Sequence, residues 1–159
     1  MLNTKIVTIA QASKIAQEIR SKGQKIVLVG GCFDILHIGH IIFLQEAKKD
    51  GDTLIVLLES DERIKQLKGA NRPINTQNDR AKILAHLDMI DYVIQLPPIT
   101  NYDLVVQKIK PAIIATTAGD NNRTHKERQA KSIGAEVVDV TSKISNQSTT
   151  RLINILNEI

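Results

Sequence analysis

Three features of the sequence predict an α/β fold with a doubly wound, mainly parallel five-stranded sheet and helices on both faces. Five short β-branched, apolar runs alternate with stretches of helical periodicity. The run at 53–58 is apolar without alternation, as a strand covered on both faces must be. The connections are long enough for right-handed helical crossovers.

The elements follow in order. Residues 14–20 place Ile15, Ala16 and Ile19 on one helical stripe, ended by Gly23. A strand at 25–29 stops at Gly30-Gly31, and helical spacing returns over 38–49. The strand at 53–58 leads to a short helix at 60–67. Gly, Asn and Pro then make 68–75 a loop. A helix over 76–87 has Thr76 as its N-cap, with Asp79 three residues on. A strand at 92–96 ends at Pro97-Pro98, and a helix at 102–109 stops before Pro111. A strand at 112–116, a charged helix at 123–132, a strand at 136–140 and a helix at 148–159 complete the chain. No linker, repeat or low-complexity tract divides it, so residues 1–159 read as a single domain.

Composition narrows the function. The 159 residues hold 42% hydrophobic and 24% charged side chains, a globular rather than disordered balance. Aromatics are 3% with no Trp, which disfavours a base-stacking platform for single-stranded nucleic acid. The net charge of +4 suits either a plain soluble surface or a phosphate-bearing ligand; without a clustered basic stripe, nucleic acid is not an expected partner. One cysteine rules out an intrachain disulfide and fits a reducing compartment. Residues 1–10 show no signal-peptide core, and no apolar run approaches a membrane span. A cytoplasmic protein is the expectation.

In a doubly wound sheet, ligands bind beyond the carboxyl ends of the strands. The first such exit reads Gly30-Gly31-Cys32-Phe33-Asp34-Ile35-Leu36-His37-Ile38-Gly39-His40. Its glycines let backbone approach a ligand, and the next helix begins near His37, where free N–H groups form an anion site. His37 and His40 share one helical face, with Gly39 leaving the surface between them open. Two imidazoles and a helix N-terminus aimed at one point suit a polyphosphate undergoing displacement. A metal pair of histidines would lack a third ligand other than Asp34. Neither a Walker A loop nor Gly-x-Gly-x-x-Gly is present.

Gly31-Cys32-Phe33-Asp34-x-x-His37-x-Gly39-His40 resembles the His-x-Gly-His signature of the cytidylyltransferase-like nucleotidyltransferases. The resemblance extends through Ser60-Asp61, Leu67-Lys68-Gly69-x-x-Arg72-Pro73-Ile74-Asn75, Asp79-Arg80, Asp91-Tyr92-Val93 and Ser148-Thr149-Thr150, covering roughly residues 4–156. Within the family it is similar to the adenylyltransferase domain that makes ADP-heptose from heptose 1-phosphate. Glycerol-3-phosphate cytidylyltransferase and archaeal-type FAD synthetase share the core more loosely.

The resemblance implies transfer of a nucleoside monophosphate from an NTP, ATP favoured, to a small phosphorylated acceptor, releasing pyrophosphate. It implies a Rossmann-like core and Mg²⁺ held by substrate phosphates, with no protein metal site. His37 and His40 would hold the phosphates and stabilise charge at the α-phosphate. Lys68 would contact the substrate phosphate or the transition state, and Arg80 would reach the triphosphate. Gly31, Cys32, Phe33, Asp34 and Gly39 would line the nucleotide site, Gly119 and Asp120 would lie near base and ribose, and Ser148, Thr149 and Thr150 would hold triphosphate oxygens. Arg72 would help fix the acceptor's anionic group. Superfamily relatives are often dimers, which leaves a homodimer open.

Residues outside that pattern keep alternatives open. Glu59 stands where the ADP-heptose enzymes have Asn. Thr116-Thr117-Ala118-Gly119-Asp120-Asn121 lacks the usual Lys and aromatic, and 141–146 lacks an Arg-Thr pair, although Lys143 supplies charge. These departures fall where base and acceptor are chosen. Cytidylyl transfer to an alcohol phosphate, adenylyl transfer to FMN, and a nucleotide-binding module without turnover remain the alternatives.

Overall fold

The structure is a computed structural model describing residues 5–142 and 149–157. Its strands are β1 (Ile6–Val7), β2 (Ile26–Gly31), β3 (Thr53–Leu58), β4 (Tyr92–Gln95), β5 (Ile113–Thr117) and β6 (Glu136–Thr141). Its helices are α1 (Ile9–Ser21), α2 (Ile38–Lys49), α3 (Asp61–Lys68), α4 (Gln77–Ala85), α5 (Tyr102–Ile109), α6 (Arg123–Ile133) and α7 (Thr149–Asn157).

The strands form one sheet in the order β1-β4-β3-β2-β5-β6, and every pairing is parallel. The expected five-stranded sheet therefore gains a sixth strand. β1 is only two residues long and pairs Ile6 with Val93 and Val7 with Ile94 at the sheet edge. A two-residue strand shows no periodicity, so the edge position is created by β4 rather than announced locally.

All six residues of β3 are buried, as its unbroken apolar run requires. Alternate side chains feed two cores. Ile55 and Leu57 pack with residues of α1 and α5, including Ala12, Ala16, Val105 and Val106. Leu54, Val56 and Leu58 pack on the other face with Leu44 and Ala47 of α2 and Ala81 and Leu84 of α4. Small side chains on α1 let that helix lie close to the sheet.

Helix starts follow side-chain caps. Thr8 and Gln11 form a capping box that begins α1 at Ile9, five residues before the expected start. Ser60 caps α3 through the Arg63 N–H, and Thr76 caps α4 through the Asp79 N–H.

The chain leaves β2 toward β3 on one side and returns to place β5 on the other. The crevice above this reversal is where a doubly wound fold receives a ligand. Among the described residues, no helix is long and apolar enough to cross a membrane.

Candidate active site

A cleft of about 1140 Å³ opens over the carboxyl ends of β2, β3 and β5. Gly31, Cys32, Phe33, His37, Gly39 and His40 of the predicted set line it, as do Gly119 and Asp120.

His37 is the N-cap residue of α2, and no side chain caps that helix end. The imidazoles of His37 and His40 are stacked, with centroids 3.8 Å apart and planes inclined by 26°. Phe33 supports the second ring at a centroid distance of 5.2 Å. The Nδ1 atoms of both histidines are buried without a hydrogen-bond partner among the described residues. Burial lowers the pKa of His37. Burial, with added repulsion from His37 and Lys68, pulls His40 down to about 4. Both rings are therefore neutral near pH 7. A neutral imidazole offers one N–H and remains attractive to a phosphate without losing a salt bridge when the charge departs.

Cys32 sits beside this pair. Burial pushes its thiol pKa up despite nearby Lys68. That disfavours a thiolate nucleophile. Lys68 itself is exposed at the end of α3, with its charge felt by Cys32 and His40.

Asp34 does not line the cleft wall. Its carboxylate accepts the Nε–H of Arg72 at 2.7 Å and the backbone N–H groups of Ile74 and Asn75 at 2.9 and 3.0 Å. Burial alone would raise its pKa; the N–H groups of Asn75 and Ile74, with Arg72, overcome that and lower it. Asp34 thus ties the exit of β2 to the 72–75 loop. Arg72, expected at the acceptor, is 7% exposed and bound to Asp34, with its Nη2 buried and unpartnered.

Arg80 departs most from expectation. It is fully buried. Its guanidinium donates to the carbonyls of Asn75 at 3.1 Å, Cys32 at 2.5 Å and Glu59 at 2.9 Å, and to the Asp61 carboxylate at 2.7 Å. In this arrangement it fastens the exits of β2 and β3 to the start of α4 rather than extending into the cleft toward a triphosphate.

On the β5 side, Asp120 accepts from the Thr116 hydroxyl at 2.7 Å and from the Asn122 N–H at 3.0 Å, and pairs with Lys126 at 2.6 Å. Burial raises the Asp120 pKa, but Lys126, Asn122 and Thr116 outweigh it and the net shift is downward. Thr149 and Thr150 open α7, while Ser148 lies outside the described residues.

A model of the cytidylyltransferase-like family matches residues 28–155. The chain belongs to the cytidylyltransferase-like family. It is 46% identical over 112 residues to the bifunctional protein HldE of Aliarcobacter butzleri, covering 70% of this chain and 23% of that protein. The HldE protein of Pseudomonas fluorescens is 34% identical over 155 residues, covering 93% of this chain and 31% of its own length. The chain thus spans less than a third of these two relatives. A lipopolysaccharide core biosynthesis protein from Thermoplasma volcanium matches with a TM-score of 0.63 and 29% identity, over 79% of this chain and all of that one. A pantoate-beta-alanine ligase from Francisella tularensis matches with a TM-score of 0.64 over 97% of this chain and 78% of its own, and at 19% identity it speaks for the fold alone.

Several cleft residues of this cytidylyltransferase-like chain went unmarked in the sequence. His125, Lys126 and Gln129 line the cleft from α6, the helix that the sequence marked only as charged. Their i, i+1, i+4 spacing is the signal that they share a face. Tyr102, the first residue of α5, gave no signal: its hydroxyl bonds the Glu59 carboxylate at 2.8 Å, a partner 43 residues away.

Proposed function

We propose that this chain is a nucleotidyltransferase that moves AMP from ATP to a sugar 1-phosphate of the heptose class and releases pyrophosphate. The observation that carries the reading is the stacked, neutral His37–His40 pair at the uncapped N-terminus of α2. Half-buried rings beside a helix dipole, with Nδ1 atoms that meet no partner among the described residues, form a preorganised site for a developing phosphate charge.

The acceptor phosphate already carries a nucleophilic oxygen, so no covalent enzyme intermediate is needed. That oxygen attacks the α-phosphorus in line, the bond to the bridging oxygen breaks, and pyrophosphate leaves with the bond's electron pair. His37, His40 and the α2 N–H groups hold the phosphates through this displacement. Lys68, whose field already reaches His40 and Cys32, supplies the movable cation for the acceptor phosphate. Catalysis is then positioning plus charge stabilisation. Asp34 is engaged by Arg72 and two backbone N–H groups, so it does not serve as a metal ligand. Mg²⁺ would be held mainly by the substrate phosphates rather than by a side-chain cage, and would supply neutralisation of phosphate charge. A single cysteine supports a cytoplasmic setting.

The test is pyrophosphate release with Mg²⁺, each NTP separately, and heptose 1-phosphate, glycerol 3-phosphate, phosphocholine or FMN. Release with ATP and heptose 1-phosphate is expected. His40→Ala should cut turnover on the order of 10²-fold with a nearly unchanged melting temperature. Release only with CTP or another acceptor corrects the substrates. NTP binding without release from any acceptor leaves a nucleotide-binding module.

A further inference from the structure

Glu59, just after β3, and Asp120, just after β5, line the same cleft from strands that flank β2 on opposite sides. The Glu59 backbone N–H donates to the Gly31 carbonyl at 3.1 Å, which places Glu59 beside the exit of β2. Leu58 points into the α2–α4 core, so alternation turns Glu59 toward α5. There the single Tyr102 hydroxyl donates to both carboxylate oxygens, at 3.0 and 2.8 Å. Burial raises the pKa of Glu59, and burial with the Glu59 contact pushes Tyr102 up to about 12.

A carboxylate accepts about four hydrogen bonds and donates none. Tyr102 supplies one proton and also fixes the carboxylate's direction. The remaining lone pairs belong to a half-buried group that lines the cleft, where leaving them unmet on ligand binding is costly. They call for donors. A sugar hydroxyl is such a donor; a second phosphate is not.

The β5 and β3 sides of the cleft fit different halves of the reaction. The β5 side carries Asp120, Lys126 and the strand-exit backbone after β5. The β3 side carries Glu59, its partner Tyr102, and Arg63 and Leu67 of α3, the helix that ends at Lys68. A nucleotide on the β5 side with its phosphates at α2 leaves the β3 side for the body of the acceptor.

We infer that Glu59, held by Tyr102, is a specificity-determining residue that accepts hydrogen bonds from hydroxyl groups of the acceptor sugar. The inference rests on the transferase reading above and names a contact within it. Removing one such bond to a charged group should weaken acceptor binding about tenfold or more.

The experiment is calorimetric titration of heptose 1-phosphate, and of its monodeoxy analogues, into protein saturated with a non-hydrolysable ATP analogue. Wild type, Glu59→Gln and Tyr102→Phe are compared, with a thermal melt to establish folding. In the wild type, at least one monodeoxy analogue should bind about tenfold more weakly than the parent sugar. In Glu59→Gln that difference should shrink severalfold while affinity for the ATP analogue stays unchanged. Tyr102→Phe, which keeps the carboxylate but frees its direction, should give a smaller change of the same sign.

Equal monodeoxy penalties in wild type and Glu59→Gln overturn the inference, because a merely structural Glu59 would leave them alike. Absence of any heptose 1-phosphate binding to the wild type overturns it too. Pyrophosphate release is read separately. Binding coupled to Glu59 without release would sink the transferase reading and keep the contact; release without coupling would do the reverse.

Discussion

The Asp34 carboxylate holds Arg72 at 2.7 Å with the two side chains 0% and 8% exposed, so the ion pair that organises the 72–75 loop is almost dry. A buried pair adds less than its Coulomb attraction suggests, yet breaking one partner leaves the other charge stranded. Asp34→Ala should therefore cost about 3–5 kcal/mol in urea denaturation. Replacing both by apolar residues should cost much less than the sum of the single changes. Strict additivity would mean the pair is not a unit. Because the folded pKa of Asp34 is lowered, its contribution is present above the unfolded carboxylate value and is lost as pH falls through the folded one.

The His40 ring makes a pH statement of the same sign, in a higher pH window. Its folded pKa of about 4 lies below the ordinary imidazole value of 6.5, so the unfolded chain binds more protons between those limits. Stability from this group is complete above about pH 6.5 and falls as pH drops toward about 4, by at most about 3 kcal/mol. His40→Gln should flatten the stability curve across that window in thermal or urea melts. A variant that keeps the wild-type slope would assign the pH dependence to other groups.

Arg80 gives a sharper choice between two roles. Its partners are the carbonyls of Asn75, Cys32 and Glu59 and the carboxylate of Asp61. Arg80→Met removes all four contacts and should destabilise the fold by about 3–5 kcal/mol. Arg80→Lys, with three donors instead of five, should recover part of that loss. Melting curves and nucleotide titrations on both variants separate the roles. Unchanged melting with weakened ATP binding would restore the triphosphate contact that the sequence suggested.

Arg80 also shows where sequence reading stops. The strands at β3 and β5 were legible because burial on both faces demands apolar runs, and α2 and α5 had the expected bounds because spacing and breakers agreed. His37 and His40 were legible because four residues of one helix start bring them together. The contacts of Arg80 with Cys32 and Glu59 span 48 and 21 residues, and no local pattern encodes them. The same holds for Glu59 and Tyr102, which only the β3–α5 packing joins. The start of α1 was legible in principle, in the Thr8–Gln11 spacing of a capping box.

Gly31 couples the fold to the histidine pair through Phe33. A Cβ at position 31 would lie 2.8 Å from Phe33 Cε2, and 3.1 and 3.2 Å from two further ring atoms. The ring has little freedom to yield. Phe33 is 4% exposed, packs against the α2–α4 core, and sits on a left-handed backbone at φ +45° that L residues seldom adopt. Gly31→Ala should therefore destabilise the protein by about 1–3 kcal/mol through overpacking. Because the same ring lies 5.2 Å from His40, displacing it should also disturb the stacked imidazoles and lower turnover. Phe33→Leu in the Gly31→Ala background shortens the obstructing side chain and should recover part of the stability. Thermal melts of the two single variants and the double variant measure that coupling. If the double variant loses the full sum of both single effects, the clash with Phe33 is not what requires glycine at position 31.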